Sequence, residues 1–175
     1  MSPSMSDSIP LHSKLAVRQS GWMWLWISVL VIVLDQITKQ LVLYSLNPYQ
    51  NIPVFPFFNI TLAFNKGAAF SFLAQADGWQ RWFFIGIAVT VSGILLFWLR
   101  RIVKTQKCLC VSLTLIFGGA VGNVIDRIIY GHVIDFLDFY WGSAHYPAFN
   151  IADSAITLGV ILMFVDWFRN PENHS

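Results

Sequence analysis

The stretch WFFIGIAVTVSGILLFWL, residues 82–99, contains 18 residues and no charged side chain. A helix rises 1.5 Å per residue, so the stretch spans about 27 Å, close to the roughly 30 Å hydrocarbon core of a bilayer. A second uncharged stretch of 18 residues, CLCVSLTLIFGGAVGNVI, occupies residues 108–125. Its glycines Gly118, Gly119 and Gly122 allow another helix to approach closely. Both stretches predict transmembrane helices.

The composition of the whole chain supports this prediction. Only 11% of the 175 residues are charged, whereas 56% are hydrophobic. A soluble domain carries roughly 25% charged residues, so this chain lacks the polar side chains that would coat a soluble globule. Two further apolar runs, residues 22–43 and 151–168, bring the predicted spans to four. The net charge of +2 is small and no basic run is typical of nucleic-acid binding, so no nucleic-acid partner is expected.

The basic residues predict how the four spans are oriented. With four spans, the segment before the first span, the link between the second and third, and the segment after the fourth all lie on one side of the membrane. These segments contain seven of the 11 lysines and arginines: Lys14, Arg18, Arg100, Arg101, Lys104, Lys107 and Arg169. The positive-inside rule makes this side cytoplasmic, with both termini. We therefore expect a single membrane domain, residues 21–169, between a flexible cytoplasmic tail of residues 1–20 and a cytoplasmic C-terminal tail of residues 170–175.

Two other features have ordinary interpretations. The first span follows basic residues, as in a secretory signal, but no small-x-small cleavage site follows it, so we expect it to be retained. Cys108 and Cys110 fall on the reducing cytoplasmic side and are interpreted as small apolar residues, ahead of metal or redox chemistry.

The longer segments, residues 44–81 and 126–150, then face outward. ITLAF at residues 60–64 and AAFSF at residues 68–72 flank a turn at residues 65–67, and predict two short strands. The predicted fold is thus a membrane all-α bundle of four transmembrane helices with a small β element. We expect that element to be an extracytoplasmic sheet lying on the outer membrane surface.

Charged side chains near the ends of spans are costly and need a role. Asp35 and Lys39 are four residues apart on one helix face and can pair. They form either a structural ion pair, with Lys39 extending to the outer surface, or a support for an active site. Asn123, Asp126 and Arg127 lie where the third span leaves the membrane. Asp126 with Arg127 is interpreted as a helix-end cap or pair, and Arg127 alternatively as a contact for a substrate carbonyl or a lipid phosphate.

Asp135 and Asp153 have no basic residue within four positions. Taken singly, each has the ordinary interpretation of an interfacial carboxylate, and Asp153 is placed to cap the fourth span. Both, however, lie on the outer side, at the exit of the third span and the entry of the fourth. If those spans are neighbours, the two carboxylates can meet and share a proton, which is the working arrangement of aspartic proteases.

Five segments together carry a resemblance to a known family. They are DQITK from Asp35, NKGAAFSF from Asn65, GGAVGNVIDR from Gly118, GHVIDF from Gly131 and FNIADS from Phe149. In this order, on a frame of four spans, the chain resembles the bacterial lipoprotein signal peptidases (signal peptidase II), which are aspartic peptidases of the inner membrane.

The resemblance implies that Asp135 and Asp153 form a catalytic dyad that activates water. It implies a prolipoprotein substrate whose lipobox cysteine carries diacylglyceryl, cut just before that cysteine. It also implies a monomer in the bacterial inner membrane with its active site at the periplasmic face, no metal or organic cofactor, and inhibition by the cyclic peptide globomycin. Supporting or substrate-binding roles are implied for eight further residues: Asp35, Lys39, Asn65, Gly67, Asn123, Asp126, Arg127 and Asn150.

Two other functions compete with this interpretation. A small proton-coupled carrier would also keep carboxylates in a helix bundle, but near the membrane midplane and often in broken helices. A structural or assembly subunit would use the acids only to bind partners and would tolerate replacement of Asp by Asn.

Overall fold

The computed structural model describes residues 19–67 and 78–169 of the chain. Four long apolar helices organise this part of the protein: α1 (Leu25–Ser45), α2 (Trp79–Arg101), α3 (Lys107–Tyr130) and α4 (Ile151–Arg169). A 3-10 turn, Gly21–Trp24, leads into α1. Each helix is long enough and apolar enough to cross a membrane, so the prediction of four spans is confirmed. The predicted tails fall almost entirely outside the described residues, as does the predicted strand at residues 68–72.

The third helix is longer than the sequence predicted. It continues to Tyr130, and Gly131, in the left-handed conformation with φ of 82°, ends it. Asn123, Asp126 and Arg127 are therefore helical residues of α3. The left-handed turn at Gly131 leads directly into a strand that begins at Val133.

Helix α3 is the centre of the bundle, and α1, α2 and α4 all pack against it. Its glycines allow the close contacts that the sequence predicted. A Cβ built on Gly118 would lie 2.9 Å from the Cα of Ser28 in α1, and one on Gly122 would lie 2.7 Å from Oδ2 of Asp35. A Cβ on Gly119 would collide with the carbonyl oxygen of Ala152 in α4. The absence of side chains at these three positions sets the spacing of the helices around α3.

We expect Gly119→Ala to destabilise the protein by about 1–3 kcal/mol, because the new methyl group meets backbone that cannot rotate away. The matched control is Gly93→Ala in α2, where an added Cβ meets nothing within 4 Å. There the better helix propensity of alanine should leave stability equal or slightly higher. Denaturant unfolding in detergent measures both variants. Equal stability for the two would contradict the packing described for Gly119.

The chain also forms a four-stranded antiparallel sheet in the order β1–β2–β3–β4. Its strands are β1 (Asn51–Phe55), β2 (Phe58–Asn65), β3 (Val133–Trp141) and β4 (Ala144–His145). The predicted strand at residues 60–64 is part of β2, which pairs with β1 and β3. Strand β3 was not predicted, because residues 133–141 were interpreted only as the segment leaving the third span.

The sheet sits at one end of the bundle, and the basic link between α2 and α3 sits at the other. Val42 near the end of α1 packs with Leu62, Ile134 and Phe136 of the sheet. At the opposite end, the backbone N–H of Gly21 donates to the carbonyl of Ile102 at 2.9 Å, which joins the start of α1 to the link between α2 and α3. The arginines and lysines of that link therefore lie at the end of the bundle away from the sheet.

Candidate active site

The two aspartates singled out by the sequence come from different elements. Asp135 is the third residue of β3 and is 2% exposed. Asp153 lies in the first turn of α4 and is partly buried. The amide oxygen of Asn150 accepts the backbone N–H of Asp153 at 2.8 Å and so caps α4. The capping interpretation of Asp153 is therefore wrong, and its carboxylate is free to take other partners.

Asparagine side chains hold the two carboxylates. Asn123 donates to Oδ1 of Asp153 at 2.7 Å, and Asn150 donates to Oδ1 of Asp135 at 2.8 Å. Asn65 donates to Oδ2 of Asp135 at 2.9 Å. Asn150 also donates to the amide oxygen of Asn123 at 3.2 Å, which joins the two halves of the site. Each carboxylate thus receives amide N–H bonds from side chains that are themselves fixed.

The environment of Asp135 favours its protonated form. Burial and the nearby negative charge of Asp153 raise the pKa of Asp135 from 3.8 to about 7, although the hydrogen bonds from Asn65 and Asn150 and the charge of Lys39 act in the opposite direction. A buried carboxyl beside another carboxylate keeps its proton because the charged form loses hydration and meets a like charge. Near neutral pH Asp135 can therefore keep its proton.

A buried charged cluster lies directly behind these asparagines. The ammonium of Lys39 contacts Oδ2 of Asp35 at 2.8 Å and Oδ2 of Asp126 at 2.7 Å, and all three side chains are fully buried. It also donates to the amide oxygen of Asn123 at 3.1 Å. The predicted pairing of Asp35 with Lys39 is confirmed. The prediction that Lys39 extends to the outer surface is wrong, because three internal acceptors hold its ammonium inside.

The same cluster fixes the two elements that carry the aspartates. Oδ1 of Asp35 accepts the backbone N–H of Ala152 at 2.9 Å, at the start of α4. Oδ2 of Asp126 accepts the backbone N–H of Ile134 at 3.1 Å, beside Asp135 in β3. Asp126 therefore pairs with Lys39 and β3, and the interpretation of Asp126 and Arg127 as a mutual pair or helix-end cap is wrong.

Gln36 belongs to this cluster and was missed by the sequence analysis. Its amide donates to Oδ1 of Asp126 at 2.9 Å and to Oδ2 of Asp35 at 3.2 Å. The available signal was its place next to Asp35 inside an otherwise apolar span.

A second missed group lies in the sheet and is formed by Asp138, Asn59 and His145. Asn59 donates to Asp138 at 2.9 Å, and His145 bonds the same carboxylate.

Arg127 and Gly67 complete the predicted set. The guanidinium of Arg127 donates to the carbonyl of Asn123 at 3.4 Å, stands 5.1 Å over the ring of Phe84, and interacts electrostatically with Asp153. Gly67 has φ of 106°, and an added Cβ would collide with the same Phe84 ring. Its N–H donates to the side chain of Asn65 at 2.8 Å. All ten predicted residues thus lie in one connected cluster.

No metal cluster accompanies these groups. Among residues 19–67 and 78–169, no three His, Cys, Asp or Glu side chains are arranged so that they could hold a metal ion.

The fold and the site define a polytopic membrane protein with a pair of carboxylates at one end of a four-helix bundle. Residues 27–169 match the family model described as signal peptidase (SPase) II. The chain belongs to the signal peptidase II family, and it is accordingly a hydrolase of the aspartic peptidase class.

Curated relatives and solved structures agree with this assignment. The chain is 53% identical to the lipoprotein signal peptidase of Alteromonas mediterranea over 158 residues, covering 90% of this chain and 87% of the relative. It is 51% identical to that of Pseudoalteromonas atlantica over 156 residues, covering 89% and 95% of the two chains. A solved structure described as a bacterial membrane enzyme at 2.3 Å resolution has a TM-score of 0.75 at 32% identity, covering 88% of this chain and 92% of its own.

Proposed function

We propose that this protein removes the signal peptide from diacylglyceryl-modified prolipoproteins, cutting just before the lipidated cysteine. Membership in the signal peptidase II family supports this proposal, as do relatives named lipoprotein signal peptidase. The observation that carries it is the arrangement of Asp135 and Asp153, two carboxyl groups held by a shared asparagine network, in which burial and the charge of Asp153 raise the pKa of Asp135 to about 7.

In the proposed reaction the two aspartates have different tasks. Asp153, ionised, takes a proton from water as the water attacks the scissile carbonyl. Asp135, protonated, donates a hydrogen bond to the carbonyl oxygen and stabilises the charge that develops there. When the tetrahedral intermediate collapses, the proton held by Asp153 passes to the leaving amine and the dyad returns to its starting state. No covalent intermediate forms.

Asparagine side chains keep Asp135 and Asp153 in the positions that their different tasks require. Asn123 donates to Asp153, and its own oxygen is occupied by Lys39 and Asn150, so its amide cannot turn around without losing both bonds. Asn65 and Asn150 hold the two oxygens of Asp135. We propose that Arg127, beside Asp153 and above Phe84, lies along the substrate cleft and contacts a substrate carbonyl.

We further propose that the site opens at the periplasmic face of the bacterial inner membrane, with both termini in the cytoplasm. The basic residues at the end of the bundle opposite the sheet support this orientation. A substrate anchored by acyl chains and a signal helix is confined to the bilayer, and its scissile bond lies near that outer interface.

The position of the acids at one end of the bundle, rather than at the membrane midplane, disfavours a proton-coupled carrier. We expect a monomer, because one chain supplies all ten site residues.

The test uses the purified protein in detergent or lipid with two peptides that span the lipobox. One carries diacylglyceryl on the cysteine and the other has the unmodified thiol. We expect cleavage of the first alone, with mass spectrometry placing the cut before the lipidated cysteine, and we expect globomycin to block it. Equal cleavage of both peptides would refute the proposed substrate class, and no cleavage of either by folded protein would refute the proposed activity.

The pH dependence of cleavage tests the division of tasks. Because the pKa of Asp135 is about 7, raising the pH through 7 removes the proton with which it polarises the carbonyl. We expect kcat/KM to fall by about tenfold per pH unit well above this pKa, because kcat/KM reports the ionisation of the free enzyme. Steady-state cleavage between pH 5 and 9 measures the effect. A kcat/KM that stays constant up to pH 9 would exclude protonated Asp135 from the reaction.

A further inference from the structure

A single hairpin connects the two halves of the site. It leaves Asp135 along β3, turns at residues 142–143, returns through β4, and reaches Asn150 at the start of α4. Beyond β4 the return segment continues to bond with β3, since the N–H of Tyr146 donates to Phe139 at 2.8 Å and the N–H groups of Phe136 and Leu137 both donate to Phe149. The path of this hairpin therefore decides where Asn150 lies relative to Asp135.

One ionisable pair ties the hairpin together. Asp138 and His145 are the only Asp, Glu, Lys, Arg or His residues between positions 136 and 152. Nδ1 of His145 lies 2.9 Å from Oδ1 and 3.0 Å from Oδ2 of Asp138. Since an ionised carboxylate only accepts hydrogen bonds, Nδ1 carries the proton and donates it. The pair thus bridges the outgoing and returning arms of the hairpin.

Other contacts hold each partner in place. Asn59, opposite Asp138 in the β2–β3 register, donates to Oδ2 of that carboxylate at 2.9 Å. The imidazole of His145 stacks on Tyr140, its partner in the β3–β4 register, with ring centroids 5.4 Å apart. The Asp138 side chain is 8% exposed and the His145 side chain 48% exposed. A buried carboxylate with bonds from two neighbouring strands is a fixed point in the sheet.

We propose that Asp138 and His145 are positioning residues for the proposed reaction. Through the hairpin they set the placement of Asn150, and through Asn150 the relative placement of Asp135 and Asp153. The inference rests on the proposed function of that site. The hydrogen bonds of Asp138 go to Asn59 and His145 rather than to the two aspartates, so the pair acts on geometry. Asp138 is three residues from Asp135, and His145 is five residues before Asn150. A shift of the returning arm therefore reaches the amide that donates to Oδ1 of Asp135 and the oxygen that caps α4.

The test compares Asp138→Asn, His145→Gln and the double variant with wild type, by steady-state cleavage of the diacylglyceryl peptide. Misplaced catalytic groups lower kcat more than substrate affinity. We expect each single variant to lose about tenfold in kcat with KM within about twofold, and the double variant to lose no more than either single one. Ser143→Ala, in the turn of the same hairpin, is the matched control and should keep wild-type kcat.

A second measurement does not depend on turnover. The infrared carbonyl band of protonated Asp135, identified by its loss in Asp135→Asn, reports the hydrogen bonds to that carboxyl group. We expect the band to shift in His145→Gln and to stay fixed in Ser143→Ala. A kcat and a band unchanged in both single variants would overturn the proposal, as would losses that multiply in the double variant. A third outcome separates this proposal from the proposed function. If wild type does not cleave the peptide but His145→Gln still shifts the band, the proposed substrate is refuted and the positioning role is supported.

Discussion

Replacement of Asp153 by Asn is expected to lower kcat by about 10³-fold or more while the protein still folds. The substitution removes the group that accepts the proton from water and changes little else, since an amide has nearly the same shape and its oxygen can still accept from Asn123. Asp135→Asn should also lower kcat strongly, because an amide N–H is a much weaker donor than a carboxyl O–H and stabilises less of the charge that develops on the carbonyl oxygen. Cleavage of the diacylglyceryl peptide by purified protein measures both.

Asp166→Asn is the matched control for these two variants. Asp166 is also a buried carboxylate of α4, 4% exposed, but it lies near the opposite end of that helix. The same chemical change at this position should leave kcat near the wild-type value. Thermal unfolding of all three variants separates lost chemistry from lost folding. Turnover within tenfold of wild type in well-folded Asp153→Asn would remove Asp153 from the reaction.

Replacement of Lys39 by Met is expected to destabilise the protein by about 3–5 kcal/mol, the largest effect on folding that we predict. Methionine fills a similar volume, but it leaves Asp35 and Asp126 facing each other in a fully buried site without their shared cation. It also removes the donor to Asn123, so cleavage should fall even in the fraction that folds. Denaturant unfolding in mild detergent and the kcat of the folded fraction measure the two consequences.

Lys104→Met provides the comparison for Lys39. Lys104 is an exposed lysine in the link between α2 and α3. Removing it should change stability by less than about 1 kcal/mol. If the two variants unfold at the same denaturant concentration, the buried cluster does not stabilise the native state to the extent expected from its geometry.

The sequence predicted the parts of the fold that depend on which residues avoid water. Uncharged stretches of 18 residues have no stable place other than a membrane or a large core, so residues 82–99 and 108–125 were sufficient to predict two spans. The glycines of the second stretch predicted a close helix contact for a similar reason, because they offer no side chain to hold neighbours apart. Both predictions depend on local composition, which is visible without knowing the partners.

What the sequence could not supply were partners distant along the chain. Lys39 was expected to reach the surface because its carboxylate acceptor Asp126 and the amide oxygen of Asn123 are more than 80 residues away, and only the packing of α1 on α3 brings them together. Strand β3 was overlooked because it follows α3 with only Gly131 and His132 between them, and its pairing with β2 spans some 70 residues. The individual site residues were recognisable as motifs, and the local pair of Asp35 with Lys39 was predicted, whereas the connections between distant segments were not.

The way the aspartates are distributed along the chain has a consequence for biogenesis. Asp135 precedes α4, and Asp153 is added to the chain only with that helix. The cap on that helix is local, whereas the bond from the N–H of Ala152 to Asp35 forms only when α4 docks on α1. Under the proposed function, a nascent chain that lacks α4 therefore carries only one of the two aspartates and cannot cleave its substrate.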